Sequence, residues 1–163
     1  MKRAQATNRE IGLASLILLV LAVYIYFNAP QLPNPNPFKE SCVFAGNLSC
    51  HSLFLRRGSG NLELALAQNT GATINVTSLV CTKKKEIPLM KPLNNTVIIT
   101  SGEQAYIAGG NSGNNVICTG ADGNTTPTAS LGDIYEGNLY ITYVEVKTGE
   151  YKFANGTLLT KYA

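Results

Sequence analysis

Residues 61–68 read Asn-Leu-Glu-Leu-Ala-Leu-Ala-Gln, and residues 73–80 read Thr-Ile-Asn-Val-Thr-Ser-Leu-Val. In both stretches large apolar side chains alternate with small or polar ones, which is the pattern of strands that are buried on one face. Residues 69–71, Asn-Thr-Gly, lie between them and have the composition of a turn. The sequence therefore predicts a β-hairpin over residues 61–80.

Further short β-rich runs follow this hairpin and precede it, separated by Gly, Asn, Ser and Thr. They cover residues 52–56, 96–100, 104–108, 115–119 and 138–147. Residues 150–154 and 157–162 form a last pair, with Asn155-Gly156 as the turn between them. Short runs of this kind predict an all-β domain over residues 38–163, and we expect an Ig-like β-sandwich of about seven or eight strands.

The amino-terminal part of the chain has a different composition. Residues 11–27 are seventeen uncharged residues dominated by Leu, Ile and Val, and three basic residues precede them. A helix of that length spans about 25 Å. The pattern predicts a basic cytoplasmic leader at residues 1–10 and a transmembrane or filament-core helix at residues 11–27. A cleavable secretory signal is the alternative. Residues 28–37 contain four of the seven prolines, which is typical of a stiff linker.

Four cysteines follow the linker, and an even number in an exported domain indicates disulfides. The candidates are Cys42, Cys50, Cys81 and Cys118. Three pairings are possible, and the sequence does not choose among them. No two cysteines have the Cys-x2-Cys spacing of a zinc site, and His51 is the only histidine, so we predict no metal site.

Five Asn-x-Ser/Thr sequons indicate a glycosylated outer surface. The candidate residues are Asn47, Asn75, Asn94, Asn124 and Asn155. Asn75 stands between Ile74 and Val76, so in a strand its side chain must face solvent while those two face the core.

The sequence offers little that predicts catalysis. It contains no nucleophile elbow, P-loop or zinc-protease motif, and we interpret His51 as structural and Asp122 as part of a turn. Residues 83–85 are three lysines, which we interpret as a solvated strand end. The net charge of +3 is too small for a nucleic-acid binder. We therefore predict a protein without enzymatic activity, cofactor or nucleic-acid partner.

The opening Lys-Arg-Ala-Gln-Ala-Thr of residues 2–7, followed closely by an apolar helix and an exported β-domain, resembles archaeal type IV pilin-like subunits. The resemblance implies leader cleavage between Ala4 and Gln5 and packing of the freed helices into a filament core. The assembly residues would be Leu13, Leu16, Ile17, Val20, Leu21 and Tyr24.

Two functions are therefore expected. The first is a structural subunit of a cell-surface filament, a homo-oligomer with its glycosylatable β-domain outside. The alternative is a single-pass membrane-anchored binding or adhesion module that does not polymerise. In that case loops 109–114 and 120–130 would recognise a surface protein or glycan. Both predictions place residues 38–163 outside the cell.

Overall fold

The structure is a computed structural model, which describes residues 18–21, 24 and 38–163. Residues Lys39–Ala163 form one compact unit that consists almost entirely of strands. The strands are β1 (Ser41–Phe44), β2 (Leu48–Leu55), β3 (Asn61–Gln68), β4 (Ile74–Thr82), β5 (Pro92–Ile99), β6 (Gln104–Ala108), β7 (Val116–Thr119), β8 (Ile134–Glu145) and β9 (Tyr151–Lys161). A single 3-10 turn at Gly110–Ser112 lies between β6 and β7.

Seven of these strands form one closed sheet. The order is β2-β1-β9-β8-β4-β7-β3, and β3 pairs with β2 to complete the ring. Neighbouring strands are antiparallel except β4 and β7, which run parallel over Cys81–Thr82 and Cys118–Thr119. The result is a seven-stranded barrel whose interior is filled by side chains. The two remaining strands pair at its wall, β5 with β4 and β6 with β3.

The core follows from the alternation in each strand. Leu62, Leu64 and Leu66 of β3 are at most 1% exposed, and Leu139 and Ile141 of β8 are fully buried. The residues between them point to the outer face of the sheet. Burial of each large aliphatic side chain contributes about 1.5–3 kcal/mol to stability. Together these contributions supply the main driving force for folding.

In the described part of the chain no ladder joins β5 and β6 where they approach each other. The buried carboxamides of Asn114 and Gln68 complete the wall there. Asn114 donates to the carbonyl oxygens of Asn95 and Ile107 and accepts from the Asn95 amide. Gln68 donates to the carbonyl of Ile99. Both side chains are at most 3% exposed, and buried polar groups of this kind are normally hydrogen-bonded. Their hydrogen bonds take the place of a ladder between β5 and β6.

The prediction of an Ig-like β-sandwich is wrong. A sandwich consists of two sheets that pack face to face without hydrogen bonds between them. In this domain every neighbour around the ring of seven strands is hydrogen-bonded, so the wall is one closed sheet. The alternation of apolar residues is the same in both architectures, because each strand has one buried face in either case.

The predicted hairpin over residues 61–80 is also wrong. Both of its strands exist, as β3 and β4, but β7 lies between them at one end and they do not pair. The predicted turn at Asn155-Gly156 is wrong too, because β9 continues through it. A Cβ on Gly156 would lie 2.7 Å from the Val43 carbonyl oxygen, so glycine is needed there to let β1 pack closely.

The predicted hydrophobic helix at residues 11–27 is corrected as well. Residues 18–21 and 24 are helical, and the side chains of Leu18, Leu19 and Val20 are more than half exposed. No helix in the described ranges has the length and hydrophobicity that a membrane crossing requires. The other residues of the predicted helix, the leader and the linker lie outside the described residues.

Candidate functional site

The four cysteines form two disulfides, Cys42–Cys50 and Cys81–Cys118. The first joins β1 to β2 across a short turn and is half-buried. The second joins the parallel strands β4 and β7 inside the core, where both cysteines are at most 1% exposed. The structure thus chooses one of the three pairings that the sequence leaves open, and none of the described cysteines is free.

The predicted glycosylation residues lie in different environments. Asn47, Asn94, Asn124 and Asn155 are exposed. Asn75 is half-buried between Ile98 and Val144, and its Oδ1 atom is buried without a hydrogen-bond partner. Asn94 and Asn124 lie at one cavity, whereas the others are scattered over the domain.

The predicted leader and assembly residues are only partly described. Ala4, Gln5, Leu13, Leu16 and Ile17 lie outside the described residues. Val20, Leu21 and Tyr24 are helical and exposed. The membrane and filament roles that depended on this helix have no support from the structure.

The cavity of about 510 Å³ at Asn94 and Asn124 is the candidate functional site. It lies between residues 83–94 and residues 120–126, and we call it the basic groove. Its apolar lining includes Leu79, Val80, Pro88, Leu89, Leu93 and Ile117. None of its lining residues in the described part of the chain is aromatic.

The groove exists because two strands share one edge of β4. β5 pairs with β4 between Ile74 and Ser78, and β7 pairs with it at Cys81 and Thr82. The two strands diverge where one ladder ends and the other begins. The gap reaches Leu79 and Val116, which belong to the core, so the base of the groove is apolar.

Hydrogen bonds to β8 hold one wall of the groove. Asn138 Nδ2 donates to the Lys84 carbonyl at 3.2 Å, and the Tyr140 hydroxyl donates to the Lys85 carbonyl at 3.2 Å. The Tyr140 ring stacks on Phe153 with 6.0 Å between the ring centroids. Because two side chains on β8 fix the backbone of residues 84 and 85, the lysines that follow β4 have a defined path.

Asp122 organises the opposite wall. Its carboxylate accepts hydrogen bonds from the amides of Asn124 and Thr125 and from the Thr125 hydroxyl at 2.7 Å. The Thr125 hydroxyl, with help from these backbone amides, lowers the pKa of Asp122. The Asp122 carboxylate is therefore occupied by its own loop, as the interpretation of a turn implied.

The charge at the groove is positive. Lys84 and Lys91 line it, and Lys85 lies on the same segment as Glu86, its one acidic residue. Among the described residues, the ion pairs are Arg56 with Glu63 and Lys152 with Glu145 and Glu150, so these lysines have no acidic partner. Asp122 also lines the groove, but its carboxylate accepts hydrogen bonds from its own loop, so an anionic group would find two lysines without a salt-bridge partner beside an aliphatic surface.

The described lining of the groove contains no histidine and no free thiol. Its cysteine, Cys81, is in a disulfide, and His51 is not among its lining residues. No cluster of three His, Cys, Asp or Glu side chains suited to a metal ion occurs in the described ranges. The lysines and the apolar base suit the groove to binding.

The sequence does not show that Lys83–Lys85 and Asp122 lie near one groove. The signal it contains is the run of lysines followed by Ile87, Pro88 and Leu89, a basic and apolar segment. Ile87 is 67% and Leu89 91% exposed. Comparison with known protein families, curated proteins and solved structures finds no match to this chain.

Proposed function

We propose that residues 39–163 form a non-catalytic binding domain that works outside the cytoplasm and holds an acidic, extended segment of a partner protein in the basic groove. The proposal corresponds to the binding-module alternative and concerns the described β-domain alone. Two disulfides support the location, because such bonds persist in oxidising compartments.

The observation that carries the proposal is the position of lysines without acidic partners beside an aliphatic cleft. Lys84 and Lys91 line the same cavity as Leu89 and Ile117, and Leu89 is 91% exposed. A peptide that alternates acidic and aliphatic side chains matches both features. Its carboxylates would lie near the lysines, and its aliphatic side chains would cover Leu89 and Ile117.

The shape of the cleft supports an extended ligand. Its walls are the segment that leads into β5 and the loop that follows β7, and both are fixed by internal hydrogen bonds. A preformed cleft costs little conformational entropy on binding. The absence of aromatic side chains from its described lining argues against stacking ligands such as bases.

The test is a titration of the full chain, followed by NMR amide shifts, with a peptide of alternating Glu and Leu. We expect shifts around the groove and a loss of affinity of about tenfold or more in the double variant Lys84→Glu, Lys91→Glu. The matched control is Lys39→Glu, Lys147→Glu, which makes the same charge change at two exposed lysines that do not line the groove.

Three results would contradict the proposal. One is equal affinity for a peptide of alternating Lys and Leu, since the groove is basic. Another is an equal loss of affinity in the control variant, which would show that net charge alone drives binding. The third is that the shifts lie away from the groove.

A further inference from the structure

A second cavity, of about 530 Å³, lies against β2, β3 and β6. We call it the His51 hollow, and its lining residues are His51, Ser52, Ala65, Gln104, Ala105, Tyr106 and Asn111. None of these side chains carries a carboxylate, an ammonium or a guanidinium group. Its chemistry therefore differs from that of the basic groove.

Two β-bulges meet at the hollow. In the β2–β3 ladder Cys50 pairs with Leu66 and Ser52 with Ala65, so His51 has no partner on β3. In the β3–β6 ladder the register also shifts beside Ala65, which pairs with Tyr106. Bulges bend a strand and re-aim its side chains, and they are frequent next to binding sites. Both bends act at Ala65, so the outer wall is indented there.

The base of the indentation is formed by small side chains. Ala65 is 3% exposed and lies on the outer face, between the core residues Leu64 and Leu66. Ser52 and Tyr106 pair with Ala65 from the two neighbouring strands, so their side chains share its outer face, whereas Ala105 pairs with Leu66 and packs against the core. A larger side chain at Ala65 would fill the base of the hollow.

The rim is polar, and its hydrogen-bonding groups are unused. The side chains of His51, Ser52, Gln104, Tyr106 and Asn111 form no hydrogen bond with any described residue. The nearby carboxamides of Gln68 and Asn114, in contrast, are fully engaged in the barrel wall. Carboxamides offer a donor and an acceptor side by side, which matches two adjacent hydroxyl groups of a ligand.

One aromatic ring of the rim is held in place. Gly110 has a φ of 52°, and a Cβ on it would lie 2.7 Å from Cγ of Tyr106. The Gly110 backbone therefore packs directly against the Tyr106 ring and limits its motion. Phe54, two residues after Ser52 on the same outer face, is 39% exposed. Aromatic surface beside amide groups suits a ligand with both apolar C–H faces and hydroxyl groups.

We propose that the His51 hollow binds a neutral oligosaccharide, with Gln104 and Asn111 hydrogen-bonding its hydroxyl groups and Tyr106 contacting a sugar ring. The lining contains no lysine or arginine, which favours a neutral ligand over the acidic peptide proposed for the basic groove. The proposal does not depend on that groove, because the two cavities share no lining residue.

The experiment titrates the full chain with chitotetraose, cellotetraose and maltotetraose as probes, observed by saturation-transfer NMR and by protein amide shifts. We expect at least one of them to shift the amides of Ser52, Ala65 and Tyr106. The double variant Gln104→Ala, Asn111→Ala should weaken that binding about tenfold or more. Both residues are exposed, so the fold should survive, and the matched control is Asn47→Ala, Asn155→Ala.

A second variant tests the shape of the site. Ala65→Leu keeps every polar group but fills the base of the hollow, and it should abolish binding while urea unfolding shows that the domain is still folded. The proposal is overturned if none of the three sugars binds at millimolar concentration. It is also overturned if the sugars shift the amide resonances of the basic groove instead. A third contradicting result is that the Glu-Leu peptide, rather than a sugar, shifts the amide resonances of the hollow.

Discussion

The basic groove and the His51 hollow are of similar volume, and both lie where a ladder of the barrel is interrupted. They differ in how the interruption arises. At the groove two strands diverge from one edge of β4, which opens a cleft down to core residues. At the hollow the strands stay paired and two bulges bend the wall inward.

This difference sets the chemistry of each site. A cleft between diverging strands is walled by loops, so it can carry long lysine side chains and exposed aliphatic ones such as Leu89. A bend within a sheet is lined by strand residues, of which small ones form the base and polar ones the rim. The same barrel therefore offers a charged site and a neutral site.

The largest expected effect is the loss of stability when the disulfide between β4 and β7, the strands that border the groove, is removed. Replacing Cys81 and Cys118 by Ala should lower the free energy of unfolding by about 4 kcal/mol, because the bond closes a separation of 37 residues and lies in the core. Replacing Cys42 and Cys50, separated by 8 residues, should cost about 2.5 kcal/mol. Urea unfolding measures both variants.

Peptide binding to the groove should weaken in the first cysteine variant, because β7 loses its covalent link to β4. Sugar binding to the hollow should change little, since none of its lining residues belongs to β4 or β7. If the 42–50 pair contributes more stability than the core pair, the role assigned to the β4–β7 link is wrong.

The next effect compares two carboxamides, one at each site. Asn114→Leu removes three hydrogen bonds and leaves backbone groups of Asn95 and Ile107 without partners, so it should cost about 2–4 kcal/mol. Asn111→Leu, at an exposed position with no hydrogen bond to the described chain, should change stability by less than about 0.5 kcal/mol. Equal costs in urea unfolding would contradict the bridging role of Asn114.

A smaller expected effect is the dependence of ligand affinity on salt, which should differ between the two sites. Raising the ionic strength from about 0.05 M to about 0.5 M shortens the Debye length from roughly 14 Å to roughly 4 Å, so the affinity of the Glu-Leu peptide for the groove should fall severalfold. Sugar affinity for the hollow should stay within about twofold, because its lining has no charged group. Isothermal titration measures both. Salt-independent peptide binding would mean that Lys84 and Lys91 contribute no charge interaction.

The smallest effect concerns pH at the groove. The pKa of Asp122 is lower in the folded protein than its ordinary value of 3.8, so its carboxylate stabilises the loop at pH values above 3.8. That contribution is lost as the pH falls through the folded-state pKa. The amide shifts of Asn124 and Thr125 should therefore titrate below pH 3.8, and Asp122→Asn should remove the transition. A midpoint at or above 3.8 would show that the hydrogen bonds of Asp122 do not favour its charged form.

The strands were largely predictable, whereas their partners were not. Residues 104–108 and 115–119 were predicted almost to the boundary, because alternation marks one buried face wherever a strand lies. Alternation does not identify a neighbour, so the hairpin over residues 61–80 was predicted although β7 separates its strands. A turn composition between two strands indicates that the chain changes direction there, which it can do without pairing the strands that flank it.

The candidate sites were less predictable than the strands. The lysines of residues 83–85 were interpreted as a solvated strand end. The segment that contains them becomes a wall of the groove only because β5 and β7 diverge from β4. His51 was interpreted as structural because it is a lone histidine beside a cysteine near the start of a strand, and the sequence does not reveal the bulge that places it at the hollow. Asn114 stands in a polar segment and Gln68 ends an alternating strand, and the burial of both follows from the gap between β5 and β6.

The amino-acid sequence alone established an all-β domain with four cysteines, because side-chain alternation and cysteine count are local properties. It could not establish that the sheet closes into a barrel, which cysteines pair, or where the cavities lie. Those properties depend on contacts between residues far apart in the chain, such as Cys81 with Cys118 and Asn95 with Asn114. Such contacts are decided when the whole sheet closes, since only then does each edge, gap and bulge acquire its neighbour.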